Sequence, residues 1–367
     1  MRTFLFVLAA GVISGTVSPF VAKSLVISIR FLNDLWGDAI VVAPLILFWI
    51  VGYLSSFSKR ITGTGVDFYV DDSVHMRFKD LVLKYISTMV TLGLGGSGGL
   101  VAPILFIGKS MSNVLVRKAE RIFTISFAAG MLSYYLGTPL TAALLSVEYF
   151  EKDSIDYDDL MPAFLASMIS TFNIKLFGFK PMVIEYFRGI EVSQLRAVDF
   201  LVALPIAFLF GSIGMSAYAL KYYFRKFMGR FDDFTKKIVS GLFLTSTGVI
   251  FGEEVLGLKI FFGGEKVFKL IAGKIVATVF TIESLGSAGY FTPLTLVGVN
   301  LGHLFSNLGL DVGVGASIGL SAILSSMLNV PIAAVLFPME LFGMKAIIPA
   351  AIGSSVSYII FKRFRIE

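Results

Sequence analysis

The chain reads as an all-α, polytopic membrane protein built around two copies of one glycine-broken helical unit. Composition is the first reason. Hydrophobic residues fill 56% of its 367 positions and only 15% are charged, with a mean hydropathy of +0.84; soluble domains hold about 45–50% apolar residues. The second reason is a repeat. Lys274–Gly298 aligns without gaps to Lys84–Gly108 at an offset of 190 residues. The identical pairs are Lys84/Lys274, Thr88/Thr278, Thr91/Thr281, Gly96/Gly286, Ser97/Ser287, Gly99/Gly289, Pro103/Pro293 and Gly108/Gly298. The third is run length. Several apolar runs fall short of the roughly 18 residues a spanning helix needs, and broken helices are tolerated in a bilayer only when buried in protein or lining a cavity. Paired Gly/Pro-interrupted units point to a transport site.

The elements follow in order. Met1–Gly11 has the look of a signal peptide, but a similar block, Arg196–Ala203, opens the second half, so the start is read as a mature helix. Apolar runs cover Phe4–Leu32 and Ala39–Leu54; Lys23 and Arg30 place the spanning part of the first run early. Ser58-Lys59-Arg60, Gly63-Thr64-Gly65-Val66 and a polar stretch, Asp67–Lys79, follow. Leu81–Leu94 and Ile104–Val116 flank the first glycine run and Arg117–Arg121 closes that unit. Ile125–Leu136 and Pro139–Phe150 join at Gly137-Thr138-Pro139, and the acidic loop Glu151–Asp159 leads to Leu160–Phe177. After a polar hinge at Lys180–Arg196 the order repeats: Phe200–Tyr223, Ile238–Phe251, Ile275–Ile282, Leu294–Leu308, Val314–Leu328, Pro331–Phe342 and Ala346–Phe361.

Gly93–Pro103 carries the chemistry. Bare backbone runs into a proline suited to a helix's first turn, so free N–H groups and the helix dipole favour an anion there. No Lys-Ser/Thr follows the glycines, which sets a nucleotide loop aside. The net charge of +6 sits mostly on loop Lys and Arg, as positive-inside topology gives, and forms no basic stripe for nucleic acid. The absence of Cys excludes disulfides and thiolate metal sites. His75 and His303 stand alone, so no metal or cofactor is expected.

These motifs resemble those of the CLC chloride channel and transporter family along nearly the whole chain. Gly63-Thr64-Gly65-Val66-Asp67 looks like the family's Gly-Ser-Gly-Ile-Pro. Gly99-Leu100-Val101-Ala102-Pro103 stands where Gly-Lys/Arg-Glu-Gly-Pro would be, and Gly289-Tyr290-Phe291-Thr292-Pro293 matches Gly-x-Phe-x-Pro. Gly137–Ala142 with Glu148, and Val330–Ala334 with Glu340, resemble the paired helices that end each half. The resemblance implies an inverted repeat with broken and re-entrant helices, with one membrane repeat over 1–180 and another over 196–367. It also implies a homodimer in the cell membrane. Thr64 would take the place of the family's anion-binding serine, the amides of Tyr290 and Phe291 would meet the central anion, and those of Leu100, Val101 and Ala102 would line an outer site. Gly63, Gly65, Gly99 and Gly289 complete the candidate site.

Departures shape the expected activity. Val101 occupies the position of the family's gating glutamate and Tyr149 that of its internal proton glutamate; Glu148 falls on a different family acid. Asp67 replaces a proline. After Tyr358-Ile359-Ile360-Phe361 the sequence runs to Glu367, so the short final helix with the family's anion-binding tyrosine is expected to be absent, and no nucleotide-binding tail is expected. Glu148 and Glu340 read equally as intramembrane functional acids and as helix caps; Glu283 reads as a helix-end acid paired with Lys or Arg. With no carboxylate at either position, the expectation is a passive channel for chloride or a similar small anion. The alternatives are a proton-coupled antiporter and a non-conducting relative. An intramembrane enzyme is set aside, because no cluster of His, Asp, Ser or Cys supports it.

Overall fold

The computed structural model describes residues 2–116, 120–150, 155–264, 266–306 and 309–364. Parts of the expected loops at Arg117–Arg121 and Glu151–Asp159, the last two residues of the run to Leu308, and Glu367 lie outside them. Among the described residues there are sixteen α-helices and no strand. The first set is α1 (Arg2–Trp36), α2 (Pro44–Phe57), α3 (Val66–Val70), α4 (Phe78–Gly93), α5 (Val101–Leu115), α6 (Arg121–Leu136), α7 (Pro139–Glu148) and α8 (Tyr157–Leu176). The single turn α9 (Val183–Tyr186) lies in the polar hinge. The second set is α10 (Ala197–Met228), α11 (Asp233–Phe251), α12 (Val267–Glu283), α13 (Phe291–Ser306), α14 (Val312–Leu328), α15 (Pro331–Phe342) and α16 (Ile347–Phe361).

Three helical segments, Thr3–Val41, Ala197–Met228 and Met344–Phe364, are long and apolar enough to cross a membrane; five further apolar helices are shorter. The structure extends several expected runs. α1 continues past Leu32 because Lys23 and Arg30 lie on its exposed side and no breaker intervenes before Gly37, whose φ is 48°. α10 starts at Ala197 because Arg196 and Asp199 form a capping box there, with the Arg196 amide donating to Asp199 at 2.8 Å. The polar stretch after Asp67 hides a short helix, α3, which sequence periodicity is too brief to reveal.

The packing of the first set recurs in the second. α6 lies against α1, α5 and α8, as α14 lies against α10, α13 and α16. α6 and α14 are the central rods: residues 123–136 of one and 313–327 of the other are all buried. A helix apolar on every side belongs in such a position. At the α13–α14 crossing the backbones touch, since a Cβ on Gly302 would lie 2.1 Å from the Gly315 carbonyl carbon. Only glycine fits there.

Glu148 and Glu340 turn out to be caps, each for the other set's helix. Glu340, late in α15, accepts from the Leu140 and Thr141 amides at 2.9 and 2.7 Å and from the Thr141 hydroxyl at 2.6 Å. Glu148, ending α7, accepts from the Ile332 and Ala333 amides at 2.8 and 2.9 Å. A carboxylate at a helix start satisfies orphan donors and the dipole together.

Candidate functional site

The two glycine runs meet backbone to backbone. The Gly99 amide donates to the Gly289 carbonyl at 2.8 Å and the Gly289 amide returns the bond to Gly99 at 2.8 Å. Around this bridge the hydroxyls of the repeat are exchanged. Ser97 of the first copy uses Thr278 and Thr281 of the second, at 3.0 Å between hydroxyls and 2.9 Å from its amide to Thr281 Oγ1. Ser287 of the second copy uses Thr88 and Thr91 of the first, at 2.9 Å in both cases. All six groups are buried. Here lies the reason for three of the identical pairs, Thr88/Thr278, Thr91/Thr281 and Ser97/Ser287: each copy's loop is closed by the other's helix. Sequence identity marked these residues, but nothing in a linear pattern says that the partners are swapped.

The Gly63–Gly65 turn joins the same crossing, with the Gly63 amide donating to Gly286 at 2.8 Å. Two lysines hold it and the helix it opens. The fully buried Lys84 ammonium, on α4, donates to the Ile61 and Gly63 carbonyls at 3.0 Å each. Lys109, on α5, donates to the carbonyls of Phe68, Tyr69 and Asp71 at the far end of α3. Gly65 is required: its φ is 78°, and a Cβ would come within 2.8 Å of the Phe106 ring and 3.2 Å of Lys84 Nζ. Lys274 repeats the role of Lys84 in the second copy, donating to Val255 and Gly257 at 3.3 and 3.0 Å. Lys84 places positive charge beside the turn, and all three ammoniums are held by carbonyls, as a charge buried away from water demands.

Thr64 is half-buried, and its Oγ1 accepts from the Val66 amide at 3.3 Å, which leaves the hydroxyl proton to donate elsewhere. Asp67 lies exposed in the first turn of α3. An acid is favoured at a helix start, which accounts for it in place of a proline. Leu100, Val101, Ala102, Tyr290 and Phe291 are all buried at the starts of α5 and α13. First-turn amides have no acceptor in their own helix. The Val101 side chain is part of the main hydrophobic core. Tyr149 is the C-terminal cap residue of α7, packed against that core. Thus the structure brings Gly63–Gly65, Gly99–Ala102 and Gly289–Phe291 to one crossing, while Tyr149 belongs to the α7 end.

A carboxylate also reaches this crossing. Glu283, ending α12, is bound by the Arg225 guanidinium of α10 and accepts the Tyr290 hydroxyl at 2.7 Å. Its side chain is 2% exposed and that of Arg225 63% exposed. The expected pairing with a basic residue is present, and the link to Tyr290 is new. Chemically, the crossing gathers the starts of α5 and α13 and the Thr64-bearing turn, whose Gly63 carbonyl holds the Lys84 ammonium. Amide and hydroxyl donors replace water around a small anion.

The sequence pattern of the family described as voltage gated chloride channel matches residues 1–119 and 109–362. The chain is 26% identical over 336 residues to the uncharacterised protein MJ0305 of Methanocaldococcus jannaschii, covering 85% of this chain and 83% of that one. It is 25% identical over 350 residues to the chloride/fluoride channel protein of Pseudomonas syringae pv. tomato, covering 85% and 75%. It is 22% identical over 344 residues to the H(+)/Cl(-) exchange transporter ClcA of Yersinia pestis, covering 83% and 70%. In fold it is similar to a crystal structure of a CLC-type fluoride/proton antiporter, at a TM-score of 0.84 and 22% identity over 99% of this chain and 96% of the other.

Proposed function

This chain belongs to the voltage gated chloride channel family, CLC, and from that premise we propose that it carries a small halide across the membrane in exchange for protons. It is an anion transporter of that family and a multi-pass membrane protein. The anion reading is carried by the crossing itself, where the starts of α5 and α13 join back to back at the Gly99–Gly289 bridge and the turn that carries Thr64 is bound to Gly286. Chloride and fluoride are the anions to test, because the Pseudomonas relative bears both names. We further infer that the repeats 1–180 and 196–367 form one integral unit that pairs as a homodimer in the cell membrane.

Exchange takes precedence over the passive channel expected from Val101 and Tyr149. The Yersinia relatives are named proton/chloride exchangers. Coupling also needs a titratable group, and Glu283 supplies one through its hydrogen bond from Tyr290. Protonating Glu283 would end its ion pair with Arg225, so proton uptake would alter the support beneath an anion-site residue. The second reading, passive conduction, is favoured by the two missing carboxylates.

Purified protein in liposomes separates the two. Under exchange, a pH gradient alone drives chloride or fluoride uphill, and Glu283→Gln abolishes proton movement while halide still flows. Halide that moves only down its own gradient in the wild type selects the channel.

A further inference from the structure

The amide row Leu100-Val101-Ala102 has no gate of its own, since the side chain at 101 is a valine in the hydrophobic core. Another group reaches it. Tyr135, near the end of α6, is 3% exposed. Its hydroxyl lies 3.2 Å from Thr292 Oγ1 in the first turn of α13, and Thr292 is packed directly against Gly99. One phenol therefore ties the end of α6 to the start of α13 beside the Gly99–Gly289 bridge. A cavity of about 30 Å³ adjoins it, lined by Gly98, Tyr135, Lys259, Lys274 and Thr292 among others. That is room for one small solute beside two hydroxyls.

The repeat provides the comparison. At the offset of the glycine motif Thr292 corresponds to Ala102. Aligning Gly137-Thr138-Pro139 with Asn329-Val330-Pro331 makes Met327 the counterpart of Tyr135. Met327 is buried beside Tyr290, Pro293 and Leu294 and brings neither an O–H nor an N–H there. Met327 therefore cannot repeat the hydroxyl contact in the second copy, so the bridge is not demanded by the repeat. It lies beside the amides that Val101 leaves without a carboxylate.

We propose that Tyr135 is the gate of this chain. With its hydroxyl against Thr292 beside Gly99, the way to the row is closed; a halide enters when the phenol leaves Thr292 and turns its O–H donor toward the anion. A phenol does this as a neutral group, so this gate opens without taking up a proton. The proposal rests on the anion-transport reading above and adds the residue that controls entry.

The test is chloride efflux from liposomes, under its own gradient, for wild type, Tyr135→Phe, Thr292→Val and Tyr134→Phe. Tyr134 is the internal control: it neighbours Tyr135 and its hydroxyl has no partner among the described residues. Tyr135→Phe is expected to raise turnover about three- to tenfold, the factor that one neutral hydrogen bond carries. Thr292→Val should move it the same way and Tyr134→Phe should leave it unchanged. Turnover in Tyr135→Phe equal to or below wild type overturns the gate, including the case where only thermal stability changes. If Tyr135→Phe does not elute as a single folded species, Thr292→Val decides by the same criterion. Wild-type protein that moves no halide would instead strike the transport reading.

Discussion

Glu340→Ala is the sharpest test of how the two repeats are held. The Glu340 carboxylate takes two amides and one hydroxyl at the start of α7, at 2.9, 2.7 and 2.6 Å. The Thr141 hydroxyl can turn back to its own helix, so two amides are orphaned. A buried donor left unsatisfied costs about 1–3 kcal/mol, and removing a helix cap costs about 0.5–2 kcal/mol. The two orphaned amides together set an upper figure of about 2–6 kcal/mol and the cap loss a lower one of about 0.5–2, and the half-burial of Glu340 places the loss between them, at about 3 kcal/mol. Gln keeps one acceptor and should lose about 1 kcal/mol. Membrane proteins commonly unfold irreversibly, so the assay is the half-life of folded protein in mild detergent at fixed temperature. Loss of about 3 kcal/mol from the folded state alone shortens it about a hundredfold. Glu148→Ala should behave alike. α7 has 10 residues, so its ends lie about 15 Å apart, and the two losses should add within about 0.5 kcal/mol. A half-life for Glu340→Ala within about twofold of wild type would show that the caps are incidental, since that factor is under 0.5 kcal/mol.

Three further outcomes follow from other residues. Thr64→Val removes a donor to an anion, worth about 1.5–3 kcal/mol, and should weaken halide binding about ten- to hundredfold by calorimetry; an unchanged Kd takes Thr64 out of the site. Val101→Glu puts a competing carboxylate at the amide row, so flux should be low at neutral pH and rise in acid; flux as large as wild type and flat with pH would place residue 101 outside the pathway. Asp232 begins α11 in an exposed loop, where bonds from the Thr235 hydroxyl and amide hold its carboxyl below the usual carboxylate range. A depressed folded value means that stabilisation is present above the ordinary carboxylate range and lost as pH falls through the folded one. The wild-type advantage over Asp232→Ala should therefore shrink in acid; a gap that stays constant from neutral to strongly acid pH contradicts the cap.

The fold and most of the crossing were legible because glycine and proline punctuate a chain locally. Gly63–Gly65, Gly99–Pro103 and Gly289–Pro293 each announce a turn into a helix without reference to anything distant. What stayed hidden depends on partners far along the chain. Glu148 could be read as a functional acid or as a cap, and only the placement of Ile332 and Ala333 decides for the cap. Tyr135 sits in the apolar run Ile125–Leu136, where a tyrosine looks like core; its bond to Thr292 spans 157 positions. α3 escaped for another reason: five residues make little more than one turn, and carbonyls bound by Lys84 and Lys109 fix it more than its own periodicity does.

The exchanged hydroxyls impose an order on biosynthesis. Ser97 emerges 181 residues ahead of Thr278 and 184 ahead of Thr281. At a synthesis rate of about 5–20 residues per second, the first glycine loop waits about 10–40 s for the side chains that close it. During that interval Ser97 and the Gly99 amide lack their final acceptors, a condition that hydrocarbon would penalise and water or a helper protein would relieve. Stalling the ribosome between residues 177 and 274 should therefore trap a first repeat whose Lys84–Gly108 unit is accessible to aqueous labels, and release past Thr281 should hide it.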